Sequence, residues 1–279
     1  MEKETKKEVT ILCIVTILCS IGLFLRSVPF AYDSYAFISF ASGLVSSFGW
    51  HPAADIVFSY LPATILTWQL LCVGCLFVSL CGLYFGLKKA IGKENALVSF
   101  LILIAGAPII IFSFAQFQNE TLAYPFIFLS FYFLMAKKPK ISLLLSLLAI
   151  PFWFGAIIWI GIIGFGLVYE YLLAFIGIIV FGVWKAPNMI SLNGFLVNSG
   201  GQVMYNSYFY GLIDFFLLFP LIFGIFLSKN KRLLAWSVAA LVCVVVSARF
   251  ELLLLPFIGL GINELFIKGT KIFKLNLVA

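Results

Sequence analysis

Asp33 is the first acidic residue beyond the N-terminal tail, and it stands in Tyr32-Asp33-Ser34-Tyr35, just after a long apolar run. Only 10% of the chain is charged, so a carboxylate in that position needs a reason. Ionisable groups beside lipid are costly and are functional hypotheses by default. A carboxylate within hydrogen-bond reach of a hydroxyl can take its proton as a general base. A guanidinium such as that of Arg249 can hold a phosphate bidentately and would stabilise negative charge developing on it. Lys185 and Arg26 are further cations of this kind.

The rest of the chain must position these groups, and its composition says in what solvent. Of 279 residues, 63% are hydrophobic and 18% aromatic. Soluble domains are about 45–50% apolar and about 25% charged, so a core of this size would not hide so much apolar surface from water. Runs of roughly 20 apolar residues recur, the length that spans a bilayer as a helix. The expectation is an all-α polytopic membrane protein forming one transmembrane domain over 1–279, with no separate soluble domain.

The net charge of +7 does not point to nucleic acid, because the cations lie in short clusters between apolar runs. That is the pattern of cytoplasmic loops under the positive-inside rule. Fifteen of the 18 Lys and Arg residues fall in five such clusters, and the exceptions are Arg26, Lys185 and Arg249. Lys3, Lys6 and Lys7 precede a run too long for a signal peptide, so it reads as a retained first span. The six cysteines all lie in apolar runs. Cys72-Val73-Gly74-Cys75 has redox spacing but reads as small packing residues of a helix.

In order, a first span over about 9–28 runs outward. Residues 29–61 follow as interfacial helices in the first extracytoplasmic loop, with Ser39, Ser42 and Ser46 at helical spacing. Gly49-Trp50-His51-Pro52 breaks this segment before a short helix carrying Asp55. Spans over about 62–87, 95–114 and 121–136 alternate between lysine clusters and the polar stretch Gln116–Glu120. Residues 141–185 must hold an odd number of crossings, and three short ones fit, broken at Pro151 and at Tyr169-Glu170-Tyr171. The polar loop 186–210 lies outside as a lid, an acceptor platform or a plain connector. Spans over about 211–228, 233–248 and 250–267 bring the total to about ten crossings, with both termini cytoplasmic.

The outer face then collects Asp33, Asp55, Glu120, Asp214 and Glu251 with Arg26, Lys185 and Arg249. Each has a blander role. Asp33 and Glu120 could cap helices, and Asp55 and Asp214 suit helix starts. Arg249 could pair with Glu251 or reach headgroups, and Lys185 could anchor at the interface. His51 reads as loop packing. An ion-coupled transporter would place carboxylates near the midplane in an inverted repeat, and no such repeat is visible.

An outward first span, the carboxylate in Tyr32-Asp33-Ser34-Tyr35 and the interfacial helices after it resemble the GT-C superfamily of membrane glycosyltransferases. Gln118-Asn119-Glu120-Thr121-Leu122-Ala123, leading into an aromatic span and Lys137-Lys138, is similar to that superfamily's third loop and fourth span. Ser247-Ala248-Arg249-Phe250-Glu251, then Leu252–Leu255 and Pro256-Phe257, resembles its late Arg-aromatic-apolar-Pro signature. The resemblance implies transfer of a sugar from a polyprenyl-phosphate donor to an acceptor at the extracytoplasmic face. Asp33 would be the base and Arg249 would hold the leaving phosphate, with Lys185, Arg26, Tyr32, Tyr35 and Glu120 around the donor. A single in-line displacement would invert the anomeric centre.

Asp33 stands alone where members often carry an acidic pair, which favours a plain base and no cofactor. With a pyrophosphate donor, Asp33, Asp55 and Glu120 would instead hold a divalent ion such as Mg or Mn. The implied partners are the lipid-linked donor, membrane lipids and an acceptor. The membrane would be the plasma membrane in a prokaryote and the endoplasmic reticulum in a eukaryote. Two other readings stand beside this one: a non-catalytic scaffold or lipid-binding subunit with a membrane protein partner, and a lipid or solute transporter.

Overall fold

The computed structural model describes residues 2–24, 52–62, 64–106, 119–153, 155–167, 220, 234–240 and 252–276. Among them there is no strand. The helices are α1 (Glu2–Phe24), α2 (Pro52–Ser59), α3 (Ile65–Ile91), α4 (Lys93–Gly106), α5 (Asn119–Met135), α6 (Pro139–Ala149), α7 (Ala156–Leu167) and α8 (Leu255–Asn276). A further helical stretch covers 234–240. The chain divides into one unit of Met1–Gly86 with Ile109–Ile157 and a second of Leu87–Pro108 with Ile158–Ala279.

Among the described residues one helix, α3, is long and apolar enough to cross a membrane. Its 27 residues rise about 40 Å at 1.5 Å each. It ends where Gly92, at φ 83°, takes the left-handed conformation that closes a helix without a Cβ penalty. The short helix expected around Asp55 is α2, and it starts on Pro52, whose fixed φ and missing N–H suit a first helical turn. The lysine tail expected to precede the first span is itself helical, since α1 begins at Glu2.

In the first unit, α1 buries Glu8, Leu12, Val15, Thr16, Cys19, Ser20 and Leu23. Those spacings of three and four make one stripe. The opposite side exposes Ile14, Ile17, Leu18 and Ile21. The stripe meets α3 antiparallel: Gln69 Nε2 donates to the Leu23 carbonyl at 2.8 Å, Cys13 faces Cys81, and Glu8 faces Tyr84. On another side α3 meets α5 at backbone distance. A Cβ on Gly82 would stand 2.5 Å from the carbonyl carbon of Phe128, and one on Gly86 would run into the Phe131 ring. Gly82 and Gly86 form a Gly-x-x-x-Gly pair, the small-residue spacing that lets two apolar helices touch through their backbones.

α5 and α6 form a hairpin. Its turn is a Schellman closure: Lys138 N–H donates to the Phe133 carbonyl and Lys137 N–H to that of Leu134. Lys137 takes the left-handed position at φ 60°, where glycine is usual. Inside the hairpin, Ser130 Oγ lies 2.8 Å from Ser146 Oγ and 3.2 Å from Ser142 Oγ. Ser146 donates to its own helix at the Ser142 carbonyl. The three buried hydroxyls thus form one cluster that links the two helices. Outward, α6 exposes Ile141, Leu143, Leu144, Leu147 and Leu148.

The break expected at Pro151 is present. α6 stops at Ala149, and Phe152 and Trp153 N–H both turn back to the Ala149 carbonyl. A Cβ at Gly155 would occupy the place of the Trp153 indole. The 11 residues of α6 rise only about 16 Å, half of a hydrocarbon core of about 30 Å. A crossing that begins at Pro139 must therefore take in residues beyond the break. The second break expected, at Tyr169–Tyr171, lies outside the described residues.

In the second unit, Leu252–Asn263 is buried at every position. Phe257 packs against Trp159 and Trp236 with centroids at 5.9 and 6.3 Å. Trp236 Nε1 donates to the Ile163 carbonyl at 3.2 Å. Replacing Gly82 by valine forces the Phe128 backbone away, and overpacking of this kind costs about 1–3 kcal/mol. We predict a lower unfolding temperature for Gly82→Val in detergent. Gly74→Val in the same helix, where nothing stands within 4 Å of a Cβ, is expected to lie closer to wild type.

Candidate functional site

Of the residues expected at the site, Glu120 is the one whose side chain is described. It lies in the first turn of α5, 8% exposed, followed by fully buried Thr121. A carboxylate there is favoured by the helix dipole. It is the second residue of α5, within the first turn whose free N–H groups a carboxylate can serve.

The inward face of α5 explains where Glu120 points. Glu120, Tyr124, Ile127, Phe128, Phe131 and Leu134 are all buried and recur at helical spacing. Glu120 is thus the outermost member of the stripe that packs on α3 and α6. The Tyr124 ring stands 6.2 Å from Phe128 and edge-on at 5.8 Å to Trp153. Phe126 stacks on Phe152 at 5.5 Å. Pro125 removes one N–H from the ladder in the turn after Glu120. The result is a buried carboxylate above an aromatic wall, on a helix whose other end carries Lys137 and Lys138.

Asp55 belongs to α2. Asp33, Arg249, Lys185, Arg26, Tyr32 and Tyr35 lie outside the described residues, as do His51, Asp214 and Glu251. The residues after Glu251 are described: Leu252, Leu253, Leu254 and Leu255 are each at most 3% exposed, and Pro256 sits in the first turn of α8. The stretch that follows Arg249 in sequence is an anchored core element of the second unit.

Among the described residues no group of three His, Cys, Asp or Glu could hold a metal ion; Asp33, one of the three candidate oxygen ligands, lies outside them. Cys72 and Cys75 are buried and form no disulfide.

Sequence reasoning missed Glu8. It adjoins Lys6 and Lys7 in sequence, yet it is 4% exposed and faces the Tyr84 hydroxyl across α1 and α3. The signal was present in the spacing Glu8–Leu12–Val15–Cys19, which puts the carboxylate in line with the buried stripe. Comparison of the chain with protein-family models, with curated proteins and with solved structures finds no match.

Leaving one member of a buried polar pair without its counterpart costs about 1–3 kcal/mol. Glu8→Ala is predicted to lower thermal stability in detergent by that order, and Glu8→Gln, which keeps a polar group against Tyr84, by clearly less. Equal losses in the two variants would mean that the pair is not what holds α1 to α3 at this end.

Proposed function

We propose that the chain is a multi-pass membrane protein of about ten crossings with both termini cytoplasmic, and that it acts as a GT-C-like glycosyltransferase at the extracytoplasmic face. The donor is a sugar on a polyprenyl-phosphate-type lipid. Asp33 takes the proton of the acceptor hydroxyl as its oxygen attacks the anomeric carbon. Arg249 holds the departing phosphate, helped by Lys185 and Arg26. Tyr32, Tyr35 and Glu120 line the donor. The new glycosidic bond forms as the anomeric carbon–phosphate oxygen bond breaks, with inversion.

The observation that carries this reading is the buried carboxylate of Glu120 at one end of α5, with exposed lysines at the other. A buried acidic group at the end of a helix this apolar is costly unless it is paired or used, and such positions are functional hypotheses by default. The lysines at 137, 138 and 140 mark the opposite end as cytoplasmic. Glu120 is then on the outer face, where charge patterning also puts Asp33 and Arg249. The exposed Ile and Leu side chains of α1, α4 and α6 support lipid as their solvent.

The test is transfer from radiolabelled polyprenyl-phosphate sugars in membranes carrying the full chain. Loss of a general base lowers rates by about 10²–10⁴, and that range is predicted for Asp33→Ala. Loss of a group stabilising transition-state charge costs about 10²–10³, and that is predicted for Arg249→Ala. Transfer that persists in both variants would end this assignment of roles.

A further inference from the structure

The α5–α6 hairpin carries a second feature, at the end away from Glu120. Lys137, Lys138 and Lys140 are all exposed at its turn. No acidic residue occurs from 121 to 169 to neutralise them. At 3.6 residues per turn, Lys140, Leu144, Leu147 and Leu148 fall within about 100° of arc on α6. Leu144, Leu147 and Leu148 are 46–56% exposed, and Ser142, Ser146 and Ala149 on the opposite side are buried. The cations therefore head an unpartnered apolar stripe. The stripe is one α6 long, about 16 Å, which matches one leaflet of a core about 30 Å thick.

We propose that this surface is a binding site for an anionic phospholipid of the cytoplasmic leaflet. The lipid phosphate lies among Lys137, Lys138 and Lys140, and an acyl chain runs down Leu144, Leu147 and Leu148. Charge complementarity fixes the sign of the headgroup. The short helix fixes the occupant as a single-leaflet lipid. The left-handed Lys137 and Pro139 at the start of α6 fix the turn that carries the three exposed cations. The inference rests on the membrane part of the proposed function and is independent of sugar transfer.

The experiment uses the full chain, delipidated in detergent, with dioleoyl phosphatidylglycerol as the probe and bound lipid counted by native mass spectrometry. Controls are dioleoyl phosphatidylcholine and inorganic phosphate. Each lysine near an anionic surface contributes on the order of five-fold to partition. K137Q/K138Q/K140Q is therefore expected to weaken phosphatidylglycerol retention at least about ten-fold, with phosphatidylcholine retention unchanged. K3Q/K6Q/K7Q removes the same charge elsewhere and is expected to retain the lipid. Equal losses in the two triple variants, no preference for phosphatidylglycerol, or full competition by inorganic phosphate would each overturn the site. Should the triple variant not yield folded protein, K140Q alone, with its expected several-fold loss, decides in the same way. Carbonate extraction separates the two claims: a chain released from membranes contradicts the membrane reading itself, whereas a retained chain without lipid preference contradicts only this site.

Discussion

The arrangement depends on helices that bury several hydroxyls beside their apolar core while leaving large aliphatic side chains on their outward faces. α6 buries Ser142 and Ser146 and exposes Ile141, Leu143, Leu144, Leu147 and Leu148. α1 buries Thr16 and Ser20 and exposes Ile14, Ile17, Leu18 and Ile21. α4 buries Ala96 and Ser99 and exposes Val98, Leu101 and Ile102. In water the exposed aliphatic faces would forfeit part of the hydrophobic driving force, which stabilises folding by about 25 cal/mol for each Å² of apolar area buried. In lipid the gain from hiding leucine vanishes, and the cost of an unsatisfied hydroxyl takes over.

Other features follow from that constraint. In lipid, where no hydrophobic force presses helices together, contact would come from close approach and from polar links. Gly82 and Gly86 let α3 reach the backbone of α5. The Ser130–Ser142–Ser146 cluster closes the α5–α6 hairpin through hydroxyl contacts. Thr16 and Ser20 return their protons to α1 itself, at the carbonyls of Leu12 and Thr16, so that they can be buried without a partner helix. Even the break after Ala149 keeps the Phe152 and Trp153 amides engaged, as backbone at membrane depth would require.

Much of this was legible in the sequence where the cause is local. Pro52 starts α2, Pro151 ends α6, and Lys137-Lys138-Pro139-Lys140 turns one helix into the next. Each of these is written in a residue that fixes φ, removes an N–H or carries a charge. The expected third span reaches 114; α4 is described to Gly106, and 107–114 lie outside the described residues. What could not be read was which residue meets which. Glu8 stood among lysines and looked like part of a solvated tail, because its burial depends on Tyr84, some 76 residues further on. The serine cluster likewise exists only once the hairpin brings 130 beside 142 and 146. For the site, the sequence supplied Glu120 as a candidate but not its place at the head of an inward aromatic stripe. Asp33 and Arg249 are still joined by charge patterning and resemblance alone.

The central claim is that lipid, not water, surrounds the outward faces of these helices. Spin labels at single cysteines replacing Leu18, Leu101 and Leu144 test it directly, in a background whose six native cysteines are changed to serine or alanine. In reconstituted bilayers the labels should be relaxed strongly by oxygen and weakly by a water-soluble nickel chelate. Strong relaxation by the chelate at all three positions would contradict the account.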